Sequence, residues 1–146
     1  MSGAGARATV LAFDYGARWT GVAVGEHESG LAHPLSVIEA RSDAVRLDAA
    51  AALIDTWRPT HLVVGLPLTL EGGEHRLGPV VRAFAAALGE RFRLPVIFVD
   101  ERLSSADAES ALRESGRGGR ADKHLTHPVA AQRILQDYFN ESTAGR

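Results

Sequence analysis

The chain has 146 residues, 45% hydrophobic and 23% charged, with a formal charge of −2 and no cysteine. That length suits one domain with an ordinary core, and the missing thiols exclude a disulfide frame and any thiolate metal site. The near-neutral balance excludes whole-chain attraction to nucleic acid, so phosphate binding would have to come from local clusters of charge.

No apolar run approaches the roughly 20 residues of a membrane span, and MSGAGARA has no signal-peptide core. A cytoplasmic protein without membrane attachment is expected. Residues 8 to 14 (ATVLAFD) and 20 to 25 (TGVAVG) read as two strands joined by a tight turn through Gly16. A third strand spans about 31 to 40, and Pro34 inside it suggests an edge or a bulge. A helix follows, with Ser42 as N-cap, Leu47, Ala50, Ala51, Ile54 and Trp57 at helical spacing, and Pro59 ending it. HLVVGLPL is a short, wholly apolar run of the kind buried on both faces. Beyond the glycine-rich LEGGEHRLG a second helix presents Leu77, Val81, Phe84 and Leu88, and LPVIFVDER is another apolar strand ending in acids. SSADAESALRES is expected to be helical, capped by Ser104 with Asp107. GRGGRADKH offers no packing face, and PVAAQRILQDYF forms the last helix with Ala131, Leu135, Tyr138 and Phe139 on one side.

The order β-β-β-α-β-α-β-α-α predicts an α/β fold: a mixed five-stranded sheet flanked by helices. A single domain over 1–146 is expected, with 1–7 and 141–146 as disordered tails. Ligands of open α/β sheets bind beyond the carboxyl ends of strands. The first strand ends at Asp14 and the last at Asp100-Glu101-Arg102. If these strands run parallel near one another, Asp14 and Glu101 emerge on one edge, where two carboxylates repel unless a cation joins them. Oxygen ligands suit Mg²⁺ or Mn²⁺. The plainer alternative has Asp14 capping the turn and the later acids pairing with Arg102.

DYGARWTGVAVG, VGLPLTLEGGEHRLG, VDERLSSADAESAL and the C-terminal helix together resemble the YqgF-type family, from about residue 8 to 139. Its members are described as Holliday-junction resolvases and as nucleases maturing the 5′ end of the small-subunit ribosomal RNA precursor. The resemblance implies an RNase H-like fold and a metal-dependent hydrolase of phosphodiester bonds. By that reading the protein acts in pre-16S rRNA maturation and ribosome biogenesis. Its partners would be nucleic acid, with pre-rRNA favoured over branched DNA, and the small-subunit precursor; the protein would be a monomer or homodimer.

Carried over residue by residue, the family's first two acids fall on Asp14 and Glu101. The third, which opens the last helix, falls on His127, a departure. Imidazole can bind Mn²⁺ but removes one negative charge, so Asp122 or Asp107 is a substitute ligand. The alternative places His127 merely beside the helix start, with Pro128 in the first turn. His124 and His127 lack a third soft ligand for zinc. In the implied chemistry two ions about 4 Å apart stabilise the phosphate, activate water and assist the leaving oxygen. Asp14 would bridge them. Candidate contacts to the nucleic acid are Arg18, Arg102, Arg113, Arg117, Arg120 and Lys123, the last four crowding the basic segment. Two rival readings remain: a Holliday-junction resolvase, and a non-catalytic RNA-binding assembly factor that has lost the third acid. An ATP-binding module is disfavoured, because the chain is too short for the two halves that fold requires.

Overall fold

The computed structural model describes residues 8–103 and 120–144, and side chains within 8–101 and 127–142. In chain order the elements are β1 (Thr9–Asp14), β2 (Trp19–Glu26), β3 (Leu31–Glu39), α1 (Asp43–Trp57), β4 (His61–Thr69), α2 (Gly78–Phe92), β5 (Val96–Leu103) and α3 (Arg120–Ala144). The five strands form one sheet in the order β3-β2-β1-β4-β5. The first three are an antiparallel meander, and β4 and β5 run parallel to β1.

Alternation along the strands divides the core in two. Leu11, Phe13, Val22, Val24, Leu62, Val64 and Leu66 face α1 and α2, where Val81, Phe84 and Leu88 meet them. Phe84 touches Phe13 edge-on, with ring centroids 6.0 Å apart, a favourable aromatic geometry. Val10, Ala12, Ala23, Val63 and Val99 face α3 and pack on Ala131, Ile134, Leu135 and Phe139. Covered on both sides, β1 and β4 can be apolar at nearly every position.

The two edges read differently. β3 is an edge strand carrying Pro34, and its pairing with β2 shifts register between Val22 and Ala23. A proline is tolerated there because an edge strand leaves one row of N–H groups unclaimed. β5 is the opposite edge, so its apolar run is less buried than that of β4, and Phe98 remains exposed.

Ser42 caps α1, its hydroxyl accepting from the Val45 N–H at 3.3 Å. At the other end Arg58 turns into the left-handed region (φ 51°) just before Pro59. The last helix departs from expectation. It starts at Arg120 and encloses Pro128, so Pro128 is not in its first turn and residues 120–124 of GRGGRADKH are helical. The glycines stop at Gly119, and RADKHL holds mostly good helix formers, which suffices once the helix has a sheet to lie on. It also runs to Ala144, past residue 141. The expected helix capped by Ser104 and Asp107 lies outside the described residues. No described helix is long and apolar enough to cross a membrane.

Candidate active site

Asp14 continues the alternation of Val10 and Ala12, so it faces α3 at the carboxyl end of the central strand. Glu101 continues that of Val99 on β5 and faces the same way. Asp100, one residue earlier, points to the other side and is exposed. Of the acids that end β5, the sheet therefore brings only Glu101 to the face carrying Asp14. In register, Asp14 lies one residue beyond the Phe13–Val64 pair, and Glu101 pairs with Pro67. Two strand spacings and a two-residue stagger put their Cα atoms about 12 Å apart.

Arg133 of α3 stands beside Glu101, within the field of Asp14. Its Nη2 donates to Glu101 Oε1 at 3.0 Å. Its guanidinium is held more basic than usual, first by that hydrogen bond and the Glu101 charge, then by Asp137 and Asp14. The Glu101 carboxyl is raised above its ordinary value, chiefly because burial penalises its charge; Asp137 and Glu141 add to this and Arg133 offsets part of it. The side chain of Glu101 is 13% exposed and that of Arg133 is 70% exposed. Water thus screens the cation, and the pair itself adds little stability.

Two glycines let α3 descend onto this rim. Gly21 pairs with Asp14 across the β1–β2 ladder. A Cβ built on Gly21 would lie 2.0 Å from the His127 carbonyl oxygen. Any side chain there would lift the helix. The close packing puts the His127 backbone across from Asp14, with the residue itself 6% exposed and its Nε2 buried. His127 is therefore an interior helical residue, not a flank of the helix start. On Gly65 of β4, a Cβ would meet Ile134 Cδ1 at 2.5 Å and Glu101 Cγ at 3.4 Å.

The turn after Asp14 is held by a residue that sequence reading missed. Arg46 of α1 is 1% exposed. Its guanidinium donates to the carbonyls of Ala17 (2.8 Å), Gly16 (3.3 Å) and Ala40 (2.9 Å), and to Thr20 Oγ1 (3.1 Å). It also pairs with Asp43 and lies 4.6 Å over the Tyr15 ring. A planar donor fork suits this convergence of carbonyls. The signal was present: Arg46 stands one helical turn before Ala50, on the packing stripe.

The expected nucleic-acid contacts are less gathered. Arg18 donates to Glu39 through Nε at 3.2 Å and Nη2 at 2.9 Å, and it stacks on Trp19, which is core. Arg102, Arg120, Asp122 and Lys123 lie on described backbone, but their side chains are outside the described residues. Arg113, Arg117 and Asp107 lie outside them altogether. Arg133 was not foreseen.

Among the described residues, no three His, Cys, Asp or Glu side chains gather as a metal-holding group. The donor chemistry nonetheless fits a hard divalent cation. Asp14 and Glu101 share one face and one rim, and a positive group already lies in the field of both.

The comparisons agree with this architecture. Residues 8–141 match the family described as RuvX: Holliday junction resolvase. A protein of Methylobacillus flagellatus named "Putative pre-16S rRNA nuclease" is 52% identical over 137 residues, covering 94% of each chain. A protein of the same name from Thiobacillus denitrificans is 49% identical over 140 residues, 96% of this chain and 97% of that one. Among solved structures, T. thermophilus RuvC in complex with a Holliday junction substrate superposes with a TM-score of 0.54 at 15% identity, covering 94% of this chain and 96% of that one. That likeness shows the fold, which is RNase H-like. The family match over nearly the whole chain makes this chain a member of the RuvX family.

Proposed function

We propose that the protein is a metal-dependent nuclease that hydrolyses phosphodiester bonds of the 16S rRNA precursor during ribosome biogenesis. The observation that carries this reading is the placement of Asp14 and Glu101 on one face and one rim, with the Arg133 guanidinium in the field of both. The names of the relatives support the RNA substrate.

Asp14 and Glu101 would hold Mg²⁺ or Mn²⁺, with His127 or Asp122 completing the set. Bound ions supply charge to the non-bridging oxygens and lower the pKa of water. The protein's own work is positional. Arg46 fixes the turn that aims Asp14, and Gly21 and Gly65 admit α3 so that its residues reach the rim. Arg133, largely exposed, is placed to leave Glu101 for a phosphate when the cation arrives. Arg102, Arg113, Arg117, Arg120 and Lys123 would draw in the backbone, with affinity falling as salt rises.

The test incubates the protein with a 16S rRNA precursor and a four-way DNA junction, each with Mg²⁺ or Mn²⁺. Asp14→Asn and Glu101→Gln should abolish cleavage of the RNA. Cleavage of the junction alone would transfer the substrate to branched DNA, as the family description suggests. Activity surviving in both variants would overturn the assignment. His127→Asp separates an impaired nuclease, which should gain activity, from a pure binder, which should stay inert.

A further inference from the structure

At the opposite end of the same sheet face, three side chains aim their polar atoms at one point. His27 follows β2 and continues its ladder, its N–H donating to the Ala8 carbonyl at 3.0 Å. His61 opens β4, paired with Val10 on the other side of β1. Tyr138 comes down from α3, beside Phe139 in the core. The imidazoles therefore flank the start of β1, and the phenol closes over them from the helix.

His27 Nε2 and His61 Nε2 are 3.4 Å apart, His27 Nε2 and Tyr138 Oη 3.2 Å, and His61 Nε2 and Tyr138 Oη 2.9 Å. The ring centroids form a wider triangle of 5.3, 5.5 and 5.6 Å. The polar atoms are thus closer together than the rings, as they must be if the rings radiate from a shared centre. For an ion bound at 2.0–2.1 Å, tetrahedral geometry sets ligand atoms about 3.3 Å apart. The observed triangle is close to one face of that tetrahedron.

One tautomer of His61 turns a lone pair into the triangle. The Thr60 hydroxyl lies 3.4 Å from the Thr9 carbonyl and 2.9 Å from His61 Nδ1. If it donates to the carbonyl, it accepts from Nδ1–H, and His61 Nε2 then presents a lone pair. That lone pair faces the same centre as His27 Nε2 and Tyr138 Oη. The Nδ1–H···hydroxyl arrangement is also the outer support typical of a metal-bound histidine.

We propose that His27, His61 and Tyr138 form a binding site for a borderline divalent cation of the zinc type, which staples α3 to β2 and β4. Two imidazole nitrogens and a phenol oxygen suit such an ion better than Mg²⁺, which prefers an all-oxygen shell. The three residues are only part-buried, leaving a fourth position open to water. Binding as the phenolate releases the Tyr138 proton to solvent, so affinity rises with pH. The site is separate from the Asp14–Glu101 rim and does not depend on the nuclease reading.

Full-length protein stripped with a chelator is titrated with ZnCl₂ by calorimetry and with Co²⁺ by visible absorption, while the His27 and His61 imidazole signals are followed by NMR. One ion per chain at micromolar affinity or better is expected, with shifts of both Nε2 signals and the strong visible bands of a four-coordinate cobalt centre. His27→Gln and His61→Gln should each weaken zinc binding by about 100-fold, and Thr60→Val by about 10-fold. Zinc should raise the melting temperature of the wild type and not of these variants. Asp14→Asn with Glu101→Gln should bind zinc as the wild type does. The proposal is overturned if the wild type binds no zinc, if the two imidazoles stay unshifted, or if binding survives the histidine variants and is lost with the acids. The NMR readout needs no variant to fold.

Discussion

The two ends of the face beneath α3 gather opposite kinds of donor. At the carboxyl end of β1 stand two charged oxygens, Asp14 and Glu101, with one exposed guanidinium beside them. At its amino end stand two imidazoles and a phenol in mutual contact. At the first end burial penalises the Glu101 charge and Arg133 offsets part of that cost. At the second end the polar atoms of three rings lie within 3.4 Å of one another. The helix spans both, from His127 over Gly21 to Tyr138 over the histidines, so one element positions a hard-cation rim and a borderline-cation cluster.

The largest expected effect separates the two ends by chemistry. Asp14→Asn should lower cleavage about 10³-fold while leaving zinc affinity unchanged, measured on the same preparation. A parallel fall in zinc affinity would mean that the ends are not independent. Arg46→Met should come next. It strands buried carbonyls and should cost about 3 kcal/mol by urea unfolding, with cleavage lost in proportion to the disorder of the turn. An unchanged midpoint would show that the guanidinium does not hold that turn.

Gly21→Ala tests how closely α3 must approach the rim. It should cost about 2 kcal/mol and reduce cleavage more than zinc binding, because the clash lies at His127 and not at Tyr138. The smallest effect has the opposite sign. Burial holds the Glu101 carboxyl above the value of the unfolded chain. As pH rises through that window the unfolded state loses its proton first, so the native state loses stability and does not regain it at neutral pH. In metal-free protein Glu101→Gln should therefore stabilise by about 1 kcal/mol or less at pH 7, the gain vanishing below the ordinary glutamate range. A destabilised variant would show that the Arg133 pair outweighs the burial cost.

Much of this was legible in the chain because its causes are local. The apolar runs of β1 and β4, the Ser42 cap, the edge character announced by Pro34, and the carboxylates at strand ends all follow from alternation, propensity and turn chemistry. So did the convergence of Asp14 and Glu101, once three parallel strands were inferred. The start of α3 was not legible, since Pro128 is a reasonable first-turn residue while the helix already begins at Arg120.

Sequence by itself determined the order and type of the described strands and helices, though not where α3 begins and ends, and which acids end the strands, because those signals lie within a few residues of each other. Tertiary structure alone decided the partners: Arg46 under the first turn, Arg133 against Glu101, and three polar rings from distant segments meeting at one point. Their sequence separations carry no periodic signal. Strand order and the descent of α3 onto Gly21 and Gly65 bring them together.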